Sequence, residues 1–155
     1  MINPYRNTFQ DRLEELSLRR EIEYEEMAKE VGMPVPNFMR LTKRNNNSVR
    51  TSSIEKIALG LDLIPLVIFE SNNEYLYDIS SRDSVMKYIS KVFFDKRREI
   101  GLTQREVSNK IGWKSTCQVY SCEKGDRKSI ELEAFELICF SLELTPRYLV
   151  ERNSI

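Results

Sequence analysis

Apolar side chains recur at spacings of three and four along most of this chain, a pattern typical of amphipathic α-helices. Phe9, Leu13 and Leu16 give the first example, and Met27 and Val31 belong to the second. In the first 70 residues the predicted helices run from about residue 8 to 20, from Glu23 to Val31, from Pro36 to Lys43, from Ser52 through Leu61, and from Pro65 through Phe69. The polar residues 44–48 predict a loop between the third and fourth.

A second series of helices begins near residue 84. The helix predicted from about Ser84 to Ile100 turns Ile89, Val92 and Phe93 inward, although Lys96 interrupts its apolar face. Another set of residues then predicts two short helices with their caps: Thr103 before the first, Val107 and Ile111 on its inner face, Gly112 at its end, Ser115 or Thr116 before the second, and Gly125 after it. Two short helices joined by a glycine-containing turn predict a helix-turn-helix.

The two series repeat one order of core positions. Met27, Val31 and Gly32 correspond to Val107, Ile111 and Gly112 at an offset of 80 residues. After the turn the offset becomes 81, which one inserted residue among Trp113 to Thr116 explains; the later pairs are Phe38 with Val119, Leu41 with Cys122, Ile57 with Ile138, Ala58 with Cys139, Leu63 with Leu144, and Pro65 with Pro146. We therefore expect two tandem copies of one unit.

The stretch from Gly101 to Lys128 resembles the lambda-repressor-like (Cro/repressor, or XRE) helix-turn-helix family. The family pattern G-L-T-Q, then L/I-G, then E-x-G is matched by Gly101 to Gln104, Ile111-Gly112 and Glu123-Lys124-Gly125. The resemblance covers about residues 8–70 and 86–151. It implies an all-α fold of two tandem five-helix domains, with residues 1–70 as a degenerate first domain, 71–83 as a linker and 84–155 as the second domain.

The resemblance also implies which residues meet double-stranded DNA. Gln104 stands where the family's glutamine contacts the phosphate backbone and steadies the recognition helix. The base-reading positions fall at Thr116, Cys117, Gln118, Tyr120 and Ser121. Among these, Gln118 is the best candidate for a bidentate contact with adenine. Further DNA contacts are expected at Lys114, Ser115, Lys124, Arg127 and Lys128 in the second module, and at Asn37, Arg40, Lys43 and Arg44 in the first. The inserted turn residue leaves each base-reading assignment open to a shift by one position.

Charge favours the second module as the DNA reader. Net charge is zero over 155 residues, but residues 1–75 carry 10 basic and 12 acidic side chains and residues 76–155 carry 14 and 12. In the first module, glutamates crowd the second helix and Tyr24 replaces the family's glutamine. We expect acidic side chains at that end of a helix to be repelled by DNA phosphates, although they also stabilise the helix dipole.

Composition excludes several other classes. The chain has no histidine, no glycine-rich phosphate loop and no paired cysteines, so we expect no enzyme activity, metal or other cofactor. The cysteines (Cys117, Cys122 and Cys139) are expected as reduced thiols in or near the core. No apolar run approaches the roughly 18 residues of a membrane span and no signal peptide is visible, so we expect a cytoplasmic protein without a membrane partner.

Two functions remain open at this point. The first is a repressor-like transcriptional regulator, acting on DNA through both modules of one chain or as a homodimer that presents the second module twice. The second is a protein-binding module on the same scaffold, such as an antitoxin, an anti-repressor or an inhibitor from a mobile element. Its partner would bind the first module or the linker, whose Tyr75, Leu76, Tyr77 and Ile79 are too apolar for a free tether.

Overall fold

One order of elements, four helices followed by a strand, occurs twice in the part of the chain that the computed structural model describes, residues 1–46, 48–71, 77 and 84–154. In the first half (residues 1–70) the elements are α1 (Thr8–Arg20), α2 (Tyr24–Val31), α3 (Val35–Leu41), α4 (Thr51–Leu61) and β1 (Ile64–Glu70). In the second half (residues 84–154) they are α5 (Val85–Glu99), α6 (Gln104–Ile111), α7 (Cys117–Lys124), α8 (Leu132–Ser141) and β2 (Leu144–Val150), followed by a 3-10 turn, Arg152–Ser154.

The fifth helix predicted from Pro65 through Phe69 is wrong, and with it the all-α, five-helix description of each unit. The segment is β1, which pairs antiparallel with β2 in a two-stranded sheet. Ile64, Val67 and Ile68 are β-branched and favour an extended backbone. A short apolar run of this kind does not distinguish helix from strand by periodicity, and the partner that decides the matter lies far along the chain.

The third helix begins at Val35, one residue before the predicted start at Pro36. The prediction relied on the rule that a residue preceding proline avoids helical geometry. Proline is nevertheless tolerated in the first turn, because the N–H it lacks would have no partner within the helix there. The helix ends at Leu41, two residues before the predicted Lys43.

The caps predicted around α6 are confirmed. The Thr103 hydroxyl accepts from the N–H of Glu106 at 3.0 Å, and the Glu106 carboxylate accepts from the N–H of Thr103 at 3.2 Å, which together form a capping box. Gly112 ends α6 at φ 91°, in the left-handed region that glycine enters without a side-chain penalty. At the start of α7, the Ser115 hydroxyl accepts from the N–H of Cys117 at 3.1 Å.

Equivalent positions of the two halves are buried alike. Each of the pairs Met27 and Val107, Val31 and Ile111, Phe38 and Val119, Leu41 and Cys122, Ile57 and Ile138, Ala58 and Cys139, and Leu63 and Leu144 is buried at both positions. These side chains belong to one apolar cluster that runs through both halves. The halves therefore share a continuous core.

Equivalent hydrogen bonds also tie the first helix of each half to the third. In the first half the Gln10 side-chain amide donates to the carbonyl of Leu41 at 3.4 Å. In the second half the Ser90 hydroxyl donates to the carbonyl of Cys122. Gln10 and Ser90 occupy the same position of α1 and α5, and both are buried. The same carbonyl is thus satisfied by different side-chain chemistry in the two halves.

The segment before α4 bonds to its counterpart before α8. Arg50 and Glu131 form a backbone bridge, and their side chains approach to 4.0 Å. Two hydrogen bonds flank the bridge, from the N–H of Thr51 to the carbonyl of Ile130 (3.0 Å) and from the N–H of Leu132 to the carbonyl of Val49 (2.8 Å). Exchanging the two halves converts one of these bonds into the other, which is the property of a two-fold contact.

The sheet has the same property. β1 and β2 pair so that the first residue of each lies opposite the last of the other, Ile64 with Val150 and Glu70 with Leu144. The middle residues, Val67 and Arg147, face each other. The two halves therefore meet through like segments at both the sheet and the bridge.

The first helix of each half contacts the strand of the other. In α1, the Arg12 guanidinium donates to the Leu149 carbonyl of β2 at 2.7 and 3.0 Å, and Phe9 packs edge-on against Tyr148 with ring centroids 5.9 Å apart. In α5, the Tyr88 hydroxyl accepts from the N–H of Ile68 in β1 at 3.0 Å. Side chains of one half thus form hydrogen bonds with backbone groups of the other half's strand that do not take part in the pairing of β1 with β2.

Lys96, the residue that interrupts the apolar face of α5, makes a contact between the halves. It is 6% exposed, and its ammonium lies 2.8 Å from the carboxylate of Glu70 in β1. The long aliphatic stem of lysine fills core space while the charged end reaches an acidic partner.

The cysteines differ in their surroundings. Cys122 and Cys139 are buried, as predicted, and burial raises the pKa of the Cys122 thiol to about 11, so that it stays protonated. Cys117 is exposed at the start of α7, which corrects the prediction that all three lie in or near the core.

Most of the predicted linker lies outside the described residues, including Tyr75, Leu76 and Ile79. Tyr77 is described, and it packs against the core with its hydroxyl 3.4 Å from the Glu70 carboxylate. The domain boundaries at 70/71 and 83/84 stay predictions. Among the described helices, none has the length and apolarity that a membrane span requires.

Replacing Gly60 by alanine should destabilise the protein. A Cβ atom at Gly60 would lie 2.6 Å from the Cα of Val31, because α4 crosses α2 closely there. Alanine usually favours a helix over glycine by about 1 kcal/mol, but overpacking against backbone costs about 1–3 kcal/mol. We expect urea unfolding to show a lower free energy of unfolding for Gly60→Ala than for wild type. The control is Leu59→Ala, at a neighbouring residue that is 84% exposed, which should change the free energy of unfolding by less than about 0.5 kcal/mol. A Gly60→Ala protein more stable than wild type would contradict this close crossing.

Glu136 should make stability depend on pH. This α8 carboxylate accepts hydrogen bonds from Tyr148 (2.6 Å), Asn3 (3.0 Å) and Thr8 (3.4 Å), yet burial raises its pKa above the ordinary value. The folded state then holds the proton more tightly than the unfolded chain, so this group favours folding most at low pH. That contribution is lost as the pH rises from the unfolded pKa through the raised one.

The measurement is the free energy of unfolding of wild type minus that of Glu136→Gln, from urea titrations between pH 4 and 7. The difference should fall as the pH rises, because glutamine does not titrate. A flat or rising difference would show that hydrogen bonding outweighs burial at this carboxylate.

Candidate nucleic-acid interface

Helices α6 and α7 and the turn between them present a polar surface. Val119 and Cys122 are buried and fix which side of α7 faces the core. Gln118 and Tyr120 are therefore turned outward, Tyr120 with 52% of its surface exposed. An amide and a phenol on the outer face of a short helix can form hydrogen bonds with base edges in a major groove.

The predicted contact residues of the second half differ in how far they are exposed on this surface. Those that are exposed are Lys114, Ser115, Cys117, Gln118, Tyr120, Lys124 and Lys128. Those that are partly buried are Gln104, Thr116, Ser121 and Arg127. All of them belong to α6, α7 or the segments that flank α7, so the structure brings these candidates into one region of the second half.

An ionic network holds α7 against α5 and α6. The Arg97 guanidinium of α5 donates two hydrogen bonds of 2.7 Å to the two carboxylate oxygens of Glu123, at the end of α7. The Gln104 amide of α6 donates to the same carboxylate at 3.3 Å. The remaining nitrogen of the Arg97 guanidinium, Nη1, donates to the Leu102 carbonyl at 2.9 Å. The contact with Glu123 raises the pKa of Arg97. Gln104 thus supports α7, as the family resemblance implies for a glutamine at this position.

Arg97 was missed as a candidate because its partner lies on another helix, and no spacing along the chain connects them. The described residues of the first half lack this network. Ser17 occupies the position of Arg97 and its hydroxyl donates to the Ile22 carbonyl at 2.6 Å. Tyr24 replaces Gln104 and packs against Phe38, with ring centroids 6.1 Å apart. Apolar contact takes the place of the ion pair there.

Neighbouring charges orient the exposed polar groups of α7. The Arg127 guanidinium donates to the side-chain oxygen of Gln118 at 3.3 Å. Lys124 lies 3.4 Å from the Asp126 carboxylate and 5.9 Å from the centre of the Tyr120 ring. A glutamine oxygen has two lone pairs, so Gln118 keeps one acceptor site and its two N–H donors for a base.

The predicted contact residues of the first half are exposed, but three of them already have partners. The Arg40 guanidinium donates to the side-chain oxygen of Asn37. Arg44 pairs with Asp11 and, at 3.1 Å, with Glu14, and these contacts raise its pKa. Lys43 is exposed. The pairing of Arg44 with α1 was not visible from sequence, since its partners lie about 30 residues earlier.

Acidic side chains surround the start of α2. Glu23, Glu25 and Glu26 are all exposed there. The matching positions of α6 carry Thr103, Arg105 and Glu106 (Thr103 caps the helix and Arg105 bonds to the turn at the Lys114 carbonyl, 3.1 Å). The first half therefore carries three carboxylates at a place where the second half carries one carboxylate and one guanidinium.

A groove of about 430 Å³ lies between α3 and the first turns of α4. Its polar lining consists of Asn37, Arg40, Asn46, Ser48, Ser52, Ser53 and Lys56. Lys56 was not among the predicted contact residues, because nothing in the spacing of α4 distinguishes it from an ordinary surface lysine. Two cations beside several hydroxyl and amide groups are chemically suited to an anion such as a phosphate.

Comparison with protein families supports a DNA-binding unit in the first half. A family model of the Cro/C1-type HTH DNA-binding domain matches residues 12–65, from within α1 to the start of β1. These residues form one Cro/C1-type helix-turn-helix domain, which is a DNA-binding, non-enzymatic kind. Comparisons with curated proteins and with solved structures gave no match. The family match covers the half that we expected to be the weaker copy.

Replacing Glu123 by glutamine should destabilise the protein by about 2 kcal/mol, since the partly buried Arg97 would lose its charged acceptor. Both side chains are largely shielded, with 4% of Glu123 and 13% of Arg97 exposed. As a control, Glu131→Gln removes the exposed partner of Arg50 and should cost less than about 1 kcal/mol. Urea unfolding of the two variants measures the difference. Equal losses would mean that the Arg97 network contributes no more than a surface ion pair.

Proposed function

We propose that this protein is a sequence-specific DNA-binding transcriptional regulator with two helix-turn-helix modules. The first module is the domain at residues 12–65, and the second is the second half of the chain. Base reading falls mainly to α7, with Gln118 as the principal reader and Thr116 and Tyr120 beside it. Lys114, Lys124 and Lys128 hold backbone phosphates.

The observation that carries the proposal is the agreement between the halves. The element order of the matched domain recurs in residues 85–150, and the corresponding core positions are buried alike. A fold that recurs with the same core supports the same kind of surface on its second and third helices. The polar outer face of α7 is the part of that surface best supplied with donors and acceptors.

The acidic start of α2 favours a second candidate, a protein-binding role for the first module. Glu23, Glu25 and Glu26 would repel phosphates but would attract a basic protein surface. This role is compatible with DNA reading by the second module.

DNA binding is tested by selection from a random duplex pool at low salt, followed by gel-shift titration of the selected sequence. Gln118→Ala should reduce the preference for that sequence over random duplex by about 1–3 kcal/mol, because a base contact is lost. Lys124→Ala should weaken binding to all sequences alike and reduce the salt slope by about one. Arg19→Ala removes a cation of α1, outside the α2–α3 and α6–α7 segments, and should leave both quantities unchanged.

Absence of any selected sequence would refute the proposal. A complex with a protein partner that survives high salt, without affinity for DNA, would favour the second candidate instead. Unchanged binding by both Gln118→Ala and Lys124→Ala would show that DNA is read by another surface.

A further inference from the structure

We infer that one chain occupies one operator and that this operator lacks two-fold symmetry. The inference rests on the proposed function, since it concerns the DNA that the two modules take. Repressor-type helix-turn-helix proteins that act as dimers bind palindromes because two identical subunits meet across a two-fold axis. Here the contacts of that kind lie within a single chain.

The first argument is that like segments already bond to each other inside the chain. The segments around Arg50 and Glu131 exchange equivalent hydrogen bonds, and in the ladder of β1 and β2 the equivalent pairs Leu66–Tyr148 and Val67–Arg147 lie on either side of the centre. In a contact between like segments, each segment is the partner of the other, so neither is left exposed for a second chain. A second chain has no equivalent place to join at either contact.

The second argument is that the outer edges of the sheet are blocked. A two-stranded sheet could grow by adding a strand from another chain. Arg12 and Tyr5 donate to the carbonyls of Leu149 and Leu144 in β2, the latter at 2.7 Å, and the Ile68 N–H of β1 donates to Tyr88. Edge groups held by side chains of the same molecule are not available to extend the sheet.

The third argument is that the two candidate reading helices differ in what they offer to bases. On α7, Gln118 keeps free donors and an acceptor site. On α3, the oxygen of Asn37 likewise accepts from one arginine, Arg40, but Met39 stands where α7 has Tyr120, and a thioether is at most a weak acceptor. Pro34 before α3 and Pro36 in its first turn also have no N–H groups. Acidic residues at the start of α2 weaken the approach of this half to DNA further.

The first half can still contact the DNA backbone. Arg40 and Lys56 line the groove between α3 and α4, and cations attract phosphates without reading sequence. Equivalent halves of a two-fold arrangement face major grooves about one helical turn apart, near 34 Å. The expected DNA is therefore a duplex with one base-specific block, under α7, and a neighbouring turn that is held only by its phosphates.

The first experiment measures the number of chains bound to each duplex and the form of the preferred DNA sequence. The full chain is selected on a randomised duplex of about 24 base pairs, long enough for two successive half-sites. We expect one uninterrupted block of preferred bases and, by light scattering after size exclusion, one 18.3 kDa chain per duplex. An inverted repeat of that block, or two chains per duplex, would overturn the inference while leaving the proposed function intact.

The second experiment changes the DNA sequence and the protein side chains separately. Scrambling the preferred block should reduce affinity to that of random duplex, whereas scrambling the neighbouring turn should change it by less than about twofold, well below the cost of a base mismatch. Asn37→Ala should preserve the preference for the block over random duplex, and Gln118→Ala should reduce it by about 5- to 150-fold. Both residues are exposed, so the fold is not at stake. Arg40→Ala combined with Lys56→Ala should weaken all duplexes by the same factor and lower the salt slope by about two.

A change of preferred bases with Asn37→Ala, or a loss of affinity on scrambling the neighbouring turn, would show that both halves read bases and would overturn the inference. Failure to select any sequence would instead refute the proposed function, and the inference with it. The two failures are therefore distinguishable, because one gives a motif of the wrong form and the other gives no motif.

Discussion

The hydrogen bonds between like segments of the two halves determine the rest of this structure. Arg50 lies opposite Glu131, and β1 lies opposite β2, so that each half completes a surface that the other would leave open. A strand alone would expose both of its edges, and four short helices over so few residues have only a small core to bury. Joining the halves places α1 and α5 against the partner strands and makes one core from two.

This joining also explains residues that look out of place in a single helix-turn-helix unit. Lys96 would be a poor core residue on an amphipathic helix, but it reaches Glu70 on the other half's strand. Glu136 is buried at α8 and receives hydrogen bonds from Asn3 and Thr8, at the beginning of the chain. Each polar group is buried where the two halves meet, and each finds its partner across that boundary.

Local signals along the sequence predicted the helices and their ends well. The bounds of α1, the cap at Thr103 and the helix end at Gly112 all follow from residues within one or two turns of each other. The strands were not predictable in the same way, since their conformation is decided by pairing between residues about 80 positions apart. The features of the candidate site also divide into those that the sequence predicted and those that only the fold shows. The family resemblance predicted that Gln118 faces outward, but the pairing of Arg97 with Glu123 and of Arg44 with Asp11 required the fold.

The bridge between Arg50 and Glu131 has a consequence for how such a protein can change over generations. Where two identical subunits meet on an axis, a residue faces its own copy, so a charge there meets the same charge and every substitution appears twice. A chain that carries both halves is free of that restriction. It can set a cation against an anion at a self-facing position, as it does with Arg50 and Glu131. Each half can then accumulate changes separately, provided that the residue opposite continues to fit.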